Sequence, residues 1–103
     1  MKKLKIILAC AGGMSTSMLC KKIIAASEKK GYIDTECNAY PVSGLEQVAK
    51  GSDVILLGPQ VSYQKDMVAK KFPEIPVEVI EMRDYGMMNG EKIFNDLAKT
   101  YDW

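Results

Sequence analysis

The chain has 103 residues, of which 48% are hydrophobic and 26% are charged, and this length and composition fit one folded domain over residues 1–103. Its 14 Lys and Arg residues nearly balance its 13 Asp and Glu residues. The resulting net charge of +1 gives no long-range attraction to nucleic acid, so we expect no nucleic-acid partner. The sequence contains no histidine, which excludes a phosphohistidine, a His-activated nucleophile and a His-ligated zinc within it.

The three cysteines, Cys10, Cys20 and Cys37, are an odd number without C-x-x-C spacing. Neither a disulfide framework nor a thioredoxin-type redox pair is expected, and the natural environment is a reducing cytoplasm. The residues before Cys10 resemble a lipoprotein signal, but the apolar run at 6–9 is much shorter than the about 7–15 residues required. No segment approaches the about 20 apolar residues of a membrane span. We therefore expect a cytoplasmic protein without direct membrane insertion.

The first third of the chain predicts a strand, a loop and a helix. Residues 4–9 form a short apolar run typical of a strand, and Gly12 and Gly13 then favour a turn. From Ser15 onwards the apolar residues recur at helical spacing, with lysines on the opposite face. Gly31 follows two lysines and is a typical helix stop, so the helix is expected to end there.

The rest of the chain continues the alternation of strands and helices. Residues 33–39 predict a second strand, and a short helix follows to residue 50, with Ser43 as its cap and Gly51 as its end. Residues 53–57 predict a buried third strand, and residues 61–72 predict a helix stopped by Pro73. Residues 76–80 predict a fourth strand, before a turn around 84–86 and a last helix over 90–99.

Four strands, each followed by a helix, predict an α/β fold. The expected architecture is a four-stranded parallel sheet of order 2-1-3-4 with helices on both faces, similar to flavodoxin and phosphatase folds. Ligands of such sheets bind beyond the carboxyl ends of the strands, where the winding direction reverses. Here that point lies between strands one and three, and it brings the loop after Cys10 beside Gly58 and Gln60.

The loop after Cys10 has the features of an anion-binding site. Glycines allow close approach of the backbone, and successive N–H groups at a helix start attract negative charge. The same groups favour the thiolate form of Cys10, which makes this residue the candidate nucleophile. The alternative is that Cys10 is a small buried residue at a strand end. The residues expected to bind the anion are Ala11, Gly12, Gly13, Met14, Ser15, Thr16 and Ser17.

A thiolate within an anion site suggests phosphoryl transfer through a thiophosphate ester. In the phosphatase pattern C-x5-R, an arginine grips the phosphoryl oxygens, but Thr16 occupies that position and the only arginine is Arg83. This difference predicts a phosphoryl carrier rather than a low-molecular-weight cysteine phosphatase, which is kept as the alternative. A flavin-binding module is less favoured, because it needs a fifth strand and more aromatic residues than the 8% present.

Several segments together resemble the IIB component of the bacterial phosphoenolpyruvate-dependent sugar phosphotransferase system, in its lactose/cellobiose/chitobiose class. They are residues 10–17, the Leu-Gly-Pro-Gln at 57–60, residues 76–80 and the Tyr-Gly at 85–86. The resemblance implies that Cys10 takes a phosphoryl group from phosphohistidine on a IIA protein. It also implies transfer to a sugar bound by the membrane IIC transporter, with a β-linked disaccharide such as cellobiose, chitobiose or lactose as substrate. No cofactor and no metal are expected, because backbone amides neutralise the charge.

Three residues, Gln60, Tyr63 and Tyr85, are candidates for the rim of this site. Gln60 and Tyr63 follow strand three and should face the Cys10 loop if the strand order is right. Arg83 and Tyr85 follow strand four and should lie one strand further away. We expect proximity of Gln60 without a catalytic role, and Tyr85 as a further rim residue.

The other conspicuous residues are methionines and the remaining cysteines. Met14, Met87 and Met88 lie in predicted loops near the same end, where they either form a docking surface for IIA and IIC or fill gaps in the core. Cys20 lies beside the apolar face of the first helix, and Cys37 lies in strand two. We expect both cysteines to be packing residues.

Overall fold

The structure is a computed structural model that describes residues 3–10 and 15–103, with backbone only for residues 15 and 16. Its strands are β1 (Lys5–Cys10), β2 (Glu36–Pro41), β3 (Val54–Leu57) and β4 (Val77–Val79). They form one parallel sheet in the order β2-β1-β3-β4. The predicted sheet and strand order are confirmed, and the described residues contain no fifth strand, which the flavin-binding alternative would need.

The sheet buries both of its faces because β1 is apolar on both sides. Leu8 and its alternate neighbours pack against helices α1 (Ser15–Lys29) and α5 (Gly90–Tyr101). Ile7 and Ala9 pack instead into the opposite cluster, with α2 (Leu45–Val48) and α3 (Lys65–Lys71). This two-sided burial is typical of parallel sheets, whose strands are near-continuous apolar runs. In the part of the chain that the structure describes, no helix has the length and apolar character to cross a bilayer.

Helix α1 ends at Lys29, close to the stop that Gly31 predicts. This glycine has φ of 103°, which a residue with a Cβ rarely adopts. Its amide donates to the carbonyl oxygen of Glu28 at 3.0 Å, and the amide of Tyr32 donates to that of Ser27 at 3.1 Å. The last carbonyl groups of the helix are therefore paired by the turn that follows.

Strand β2 begins three residues later than predicted and continues two residues further. Asp34 has φ of 59°, so the backbone turns there and cannot yet run in the sheet. The buried hydroxyl of Thr35 is 2.8 Å from the Ser27 hydroxyl, which donates to it. Because β2 lies at the edge of the sheet, Pro41 can end the strand without removing a hydrogen bond from an interior ladder.

The two middle helices are shorter than predicted, and each follows a 3₁₀ segment. Val42–Gly44 is 3₁₀, and Gly44 rather than Ser43 occupies the cap position of α2, without a side-chain bond; the predicted Ser43 cap is therefore wrong. Pro59–Gln64 is also 3₁₀, with a kink at Val61, where φ is −116°. Proline at the first position favours a helix start, but this kink delays α3.

The predicted turn around 84–86 is a short helix, α4 (Met82–Gly86). Helix α5 begins at Gly90, where the side-chain oxygen of Asn89 accepts a hydrogen bond from the amide of Lys92 at 3.1 Å. This is the side-chain cap that asparagine supplies at helix starts. The last helix thus has its predicted beginning and extends two residues beyond its predicted end.

Helices α1 and α5 are in close contact at Gly90. A Cβ placed on this residue would lie 2.6 Å from the Cβ of Lys22 and 2.7 Å from the backbone nitrogen of Ile23. Real Cβ atoms do not come this close to another backbone, since the van der Waals contact of carbon atoms lies near 3.5–4.0 Å. The absent side chain of Gly90 therefore sets the distance between the two helices.

Candidate functional site

Cys10 is the last residue of β1 and lies at the carboxyl edge of the sheet, paired with Pro41. The residue is 6% exposed, and its thiol donates to the carbonyl oxygen of Tyr40 at 3.7 Å. Because side chains alternate along a strand, Cys10 shares the α1 face of the sheet with Leu8. Helix α1 begins only five residues later, at Ser15.

Most of the predicted anion site, residues 11–17, lies outside the described part of the chain. Residues 11–14 lie outside the described residues, as do the side chains of Ser15 and Thr16. Ser17 is exposed in the first turn of α1. The cradle of backbone amides around Cys10 therefore stays a prediction, supported by the position of a helix start directly after the loop.

The structure brings Cys10 beside Gly58, as the strand order predicted. Ala9 pairs with Leu57 across β1 and β3, and the amide of Gly58 donates to the carbonyl oxygen of Ala9 at 2.9 Å. Cys10 and Gly58 are the next residues along these two strands. They therefore lie side by side at the point where the winding direction of the sheet reverses, which is where such folds bind ligands.

Two of the rim candidates, Gln60 and Tyr85, lie beside Gly58. A Cβ on this glycine would lie 3.4 Å from Oε1 of Gln60 and 3.5 Å from Cε1 of Tyr85, both ordinary contact distances. Gln60 therefore lies beside Gly58 at this edge, while its place facing the Cys10 loop stays a prediction. The placement of Tyr85 one strand further away is wrong, because α4 folds back and brings its ring to the end of β3.

Tyr63 and Arg83 do not share this placement. The Tyr63 side chain is 81% exposed, and its hydroxyl accepts a hydrogen bond from Nε2 of Gln64 at 3.1 Å. Arg83 is exposed on α4. Both are surface residues, so the described contacts give neither of them a position against Gly58.

Helix α4, and with it Tyr85, is held by a buried carboxylate. Asp84 is 5% exposed, and its Oδ2 lies 3.0 Å from Nζ of Lys92, which also contacts Asp96 at 3.1 Å. Both hydrogen bonds raise the pKa of Lys92, and the bond to Asp84 has the larger effect. The backbone oxygen of Asp84 also accepts from the amide of Asn89 at 2.9 Å. The hydropathy pattern does not predict this anchor, whose signal in the sequence is an acidic residue eight positions before a lysine.

A groove lies between α1 and β2, next to Cys10, and has a volume of about 420 Å³. We call it the α1–β2 groove. Tyr40, whose carbonyl oxygen accepts from the Cys10 thiol, lies at one end of it, and Lys21 adds a positive charge. The groove is lined by Ser17, Cys20, Lys21, Ile24, Cys37, Asn38, Ala39 and Tyr40.

The remaining methionines and cysteines divide between surface and core. Met87 is 69% exposed, whereas Met88 is half-buried against the core cluster under α1; Met14 lies outside the described residues. Cys20 and Cys37 are each 4% exposed in that cluster, which confirms them as packing residues. No disulfide joins the three cysteines. The described residues contain no group of three or more His, Cys, Asp or Glu side chains that could hold a metal ion.

A doubly wound sheet with a cysteine at its switch point defines this chain as an α/β protein with a candidate cysteine-based site. The family model described as "PTS system, Lactose/Cellobiose specific IIB subunit" matches residues 5–96. The chain belongs to this family. IIB components are phosphotransferases, so the chain is the phosphotransferase IIB component of a sugar transport system.

Curated relatives support this assignment over most of the chain. A galactose-specific EIIB component of Lactococcus lactis subsp. cremoris is 44% identical, covering 85% of this chain and 87% of the relative. A cellobiose-specific EIIB component of Lactococcus lactis subsp. lactis has the same identity and coverage. An oligo-beta-mannoside-specific EIIB component of Bacillus subtilis is 37% identical, covering 87% and 88%.

Solved structures show the same fold. The lactose-specific IIB domain of Streptococcus pneumoniae superposes with a TM-score of 0.83 at 18% identity, covering 97% of this chain and 99% of that domain. The cellobiose-specific IIB component of Borrelia burgdorferi gives a TM-score of 0.71 at 36% identity, covering 91% and 87%. The four-stranded arrangement is therefore that of IIB domains.

Proposed function

We propose that this chain is a phosphoryl carrier in which Cys10 holds the phosphoryl group. Cys10 accepts it from phosphohistidine of a IIA protein and passes it to a sugar bound by the membrane IIC transporter. The observation that supports this proposal is the position of Cys10 at the sheet's switch point, directly before a helix, in a chain of the IIB family. Transfer takes place in the cytoplasm, where the residues 1–103 act as one carrier domain.

The transfer is an in-line displacement at phosphorus. The Cys10 thiolate forms the S–P bond while the N–P bond to the IIA histidine breaks, and the imidazole then takes up a proton. Backbone amides of residues 11–17 stabilise the charge on the equatorial oxygens, and the hydroxyls of Ser15, Thr16 and Ser17 add donors. The position of Thr16 where phosphatases have arginine favours storage of the phosphoryl group over its hydrolysis.

The printed names of the relatives support a substrate class. These act in systems for galactose, cellobiose and oligo-beta-mannoside, and the family description names lactose and cellobiose. We propose a β-linked disaccharide such as cellobiose, chitobiose or lactose as the sugar. The sugar itself is bound by the transporter.

The proposal is tested by reconstituting the transfer. The protein is mixed with phosphoenolpyruvate, the general phosphocarrier proteins and a IIA protein, and its intact mass is recorded. We expect one added phosphoryl group, which disappears on addition of membranes with the IIC transporter and a β-disaccharide. Failure to gain the group, or rapid hydrolysis of a chromogenic phosphate ester instead, would favour the phosphatase alternative.

Tyr85 gives a prediction about the rim. Replacing it with alanine removes the ring that contacts Gly58, and we expect phosphoryl acceptance to slow several-fold, because a displacement of even ~1 Å at a site can cost up to 10²-fold in rate. Tyr85→Phe keeps the ring and should retain nearly the wild-type rate. The measurement is the rate of phosphoryl gain at a fixed concentration of phosphorylated IIA. Equal rates for the two variants would remove Tyr85 from the rim.

A further inference from the structure

Helix α4 carries Tyr85 to the edge of the sheet where Cys10 lies, but the helix has no apolar anchor of its own. It contains only five residues, and its single buried residue is Asp84. Met82, the first residue of the helix, is exposed. Because isolated helices shorter than about 12–15 residues are marginal in water, contacts with other elements must hold α4 in place.

Asp84 supplies two of these contacts, one from its side chain and one from its backbone. Its Oδ2 accepts a hydrogen bond from Nζ of Lys92 at 3.0 Å, and its backbone oxygen accepts one from the amide of Asn89 at 2.9 Å. The side-chain oxygen of Asn89 in turn accepts from the amide of Lys92 at 3.1 Å. These three hydrogen bonds form a closed ring between α4 and the first turn of α5, which we call the Asp84–Lys92 clasp.

The two sides of the clasp are not equally fixed. Helix α5 buries Phe94 and Leu97 in the core, and its first residue, Gly90, stands against α1. Helix α4 has only the buried carboxylate of Asp84. Removal of one partner of a buried ion pair leaves an uncompensated charge, which is strongly unfavourable. Loss of the Lys92 ammonium therefore drives the Asp84 carboxylate towards water, and α4 is the helix that moves.

Tyr85 follows Asp84 directly in the chain, so a movement of α4 also moves its ring. A Cβ on Gly58 would lie 3.5 Å from Cε1 of this ring, and Gly58 lies beside Cys10 across β1 and β3. We propose that Asp84 is a positioning residue for phosphoryl transfer, whose clasp with Lys92 holds the Tyr85 ring against Gly58. This role rests on the proposed transfer at Cys10 and adds to it a residue that acts through Tyr85.

The first test measures the rate of phosphoryl gain at a fixed concentration of phosphorylated IIA. Lys92→Met removes the ammonium group that pairs with Asp84, and we expect the rate to fall several-fold, as for Tyr85→Ala, because a displacement of ~1 Å at a site can cost up to 10²-fold. In the double variant Lys92→Met should cause no further loss, because the clasp acts through Tyr85. A general loss of stability would instead slow both backgrounds by the same factor.

Two further variants separate the clasp from the other contacts of Lys92. Lys92→Arg keeps a cation on this half-exposed side chain and should retain the wild-type rate. Asp96→Asn is the matched control, because Asp96 also contacts Nζ of Lys92 but is exposed and lies on α5 itself. Its loss leaves α4 in place, so the rate should stay close to that of the wild-type protein. If Lys92→Met does not fold, Asp84→Asn takes its place, since the amide keeps the shape of the side chain and removes its charge.

The second test measures the position of the ring without the reaction, by the nuclear Overhauser effect between the ring protons of Tyr85 and the α protons of Gly58. We expect this effect in the wild-type protein and in Lys92→Arg, and its loss in Lys92→Met. If the wild-type protein gains no phosphoryl group, the proposed transfer fails, while this measurement still decides whether the clasp positions the ring. The role of Asp84 is overturned if the effect keeps its wild-type strength in Lys92→Met. It is equally overturned if Lys92→Met reacts at the wild-type rate, or if its rate loss and that of Tyr85→Ala multiply in the double variant.

Discussion

Phosphoryl acceptance from the IIA protein is expected to fall by at least about a thousandfold when Cys10 is replaced with serine, since loss of an activated nucleophile typically has effects of this size or larger. The serine hydroxyl stays protonated at neutral pH and is a much weaker nucleophile than a thiolate. The surroundings change little, because oxygen replaces sulfur at the end of β1. The measurement is the rate at which the intact mass gains one phosphoryl group.

Cys20→Ala is the matched control for this variant, because it removes a buried thiol on α1 that the proposed transfer does not use. We expect it to accept the phosphoryl group at close to the wild-type rate, with some loss of stability from the smaller side chain. Unchanged phosphorylation of Cys10→Ser, or a phosphopeptide that does not contain residue 10, would contradict the proposed role of Cys10.

The second large effect is expected at Gly90. Replacement with alanine places a methyl group 2.6 Å from the Cβ of Lys22 and 2.7 Å from the backbone nitrogen of Ile23, so α5 must move away from α1. Overpacking of this kind typically costs about 1–3 kcal/mol, and we expect the upper end because the clash is with backbone. The measurement is the free energy of unfolding from urea titration.

Gly86→Ala is the matched control for the expected loss of stability in Gly90→Ala. Gly86 is also a helical glycine, but a Cβ placed there meets no atom within 4 Å. Its free energy of unfolding should stay within about 0.5 kcal/mol of the wild-type value, as for surface substitutions in general. If the two alanine variants are equally stable, the helix contact at Gly90 does not limit the packing of α5.

The sheet could be predicted from local signals. Strands β1 and β3 are buried apolar runs bounded by turn residues, and the right-handed crossovers between parallel strands leave few topologies. The predicted strand order alone brings the Cys10 end of β1 beside Gly58. Glycine at position 31 ended α1 for the same local reason, since the turn requires a positive φ.

Other parts of the site depend on contacts between distant residues, which periodicity does not encode. The sequence predicts Tyr85 one strand away from Gly58, whereas its ring contacts Gly58. The reason is that Asp84 holds the helix that carries Tyr85 against Lys92, a side chain on another helix. The predicted start of β2 is three residues too early, because the turn at Asp34 lies within an otherwise strand-like segment.

The contact of α5 with α1 has a consequence for the synthesis of the protein. Ribosomes deliver the chain from its amino end, so α1 emerges about 60 residues before α5, the helix that packs against it. A nascent chain stalled before residue 90 exposes the apolar face of α1 and depends on chaperones or rapid completion to avoid aggregation. The packing of α1 is accordingly completed only after residues 90–101 have emerged.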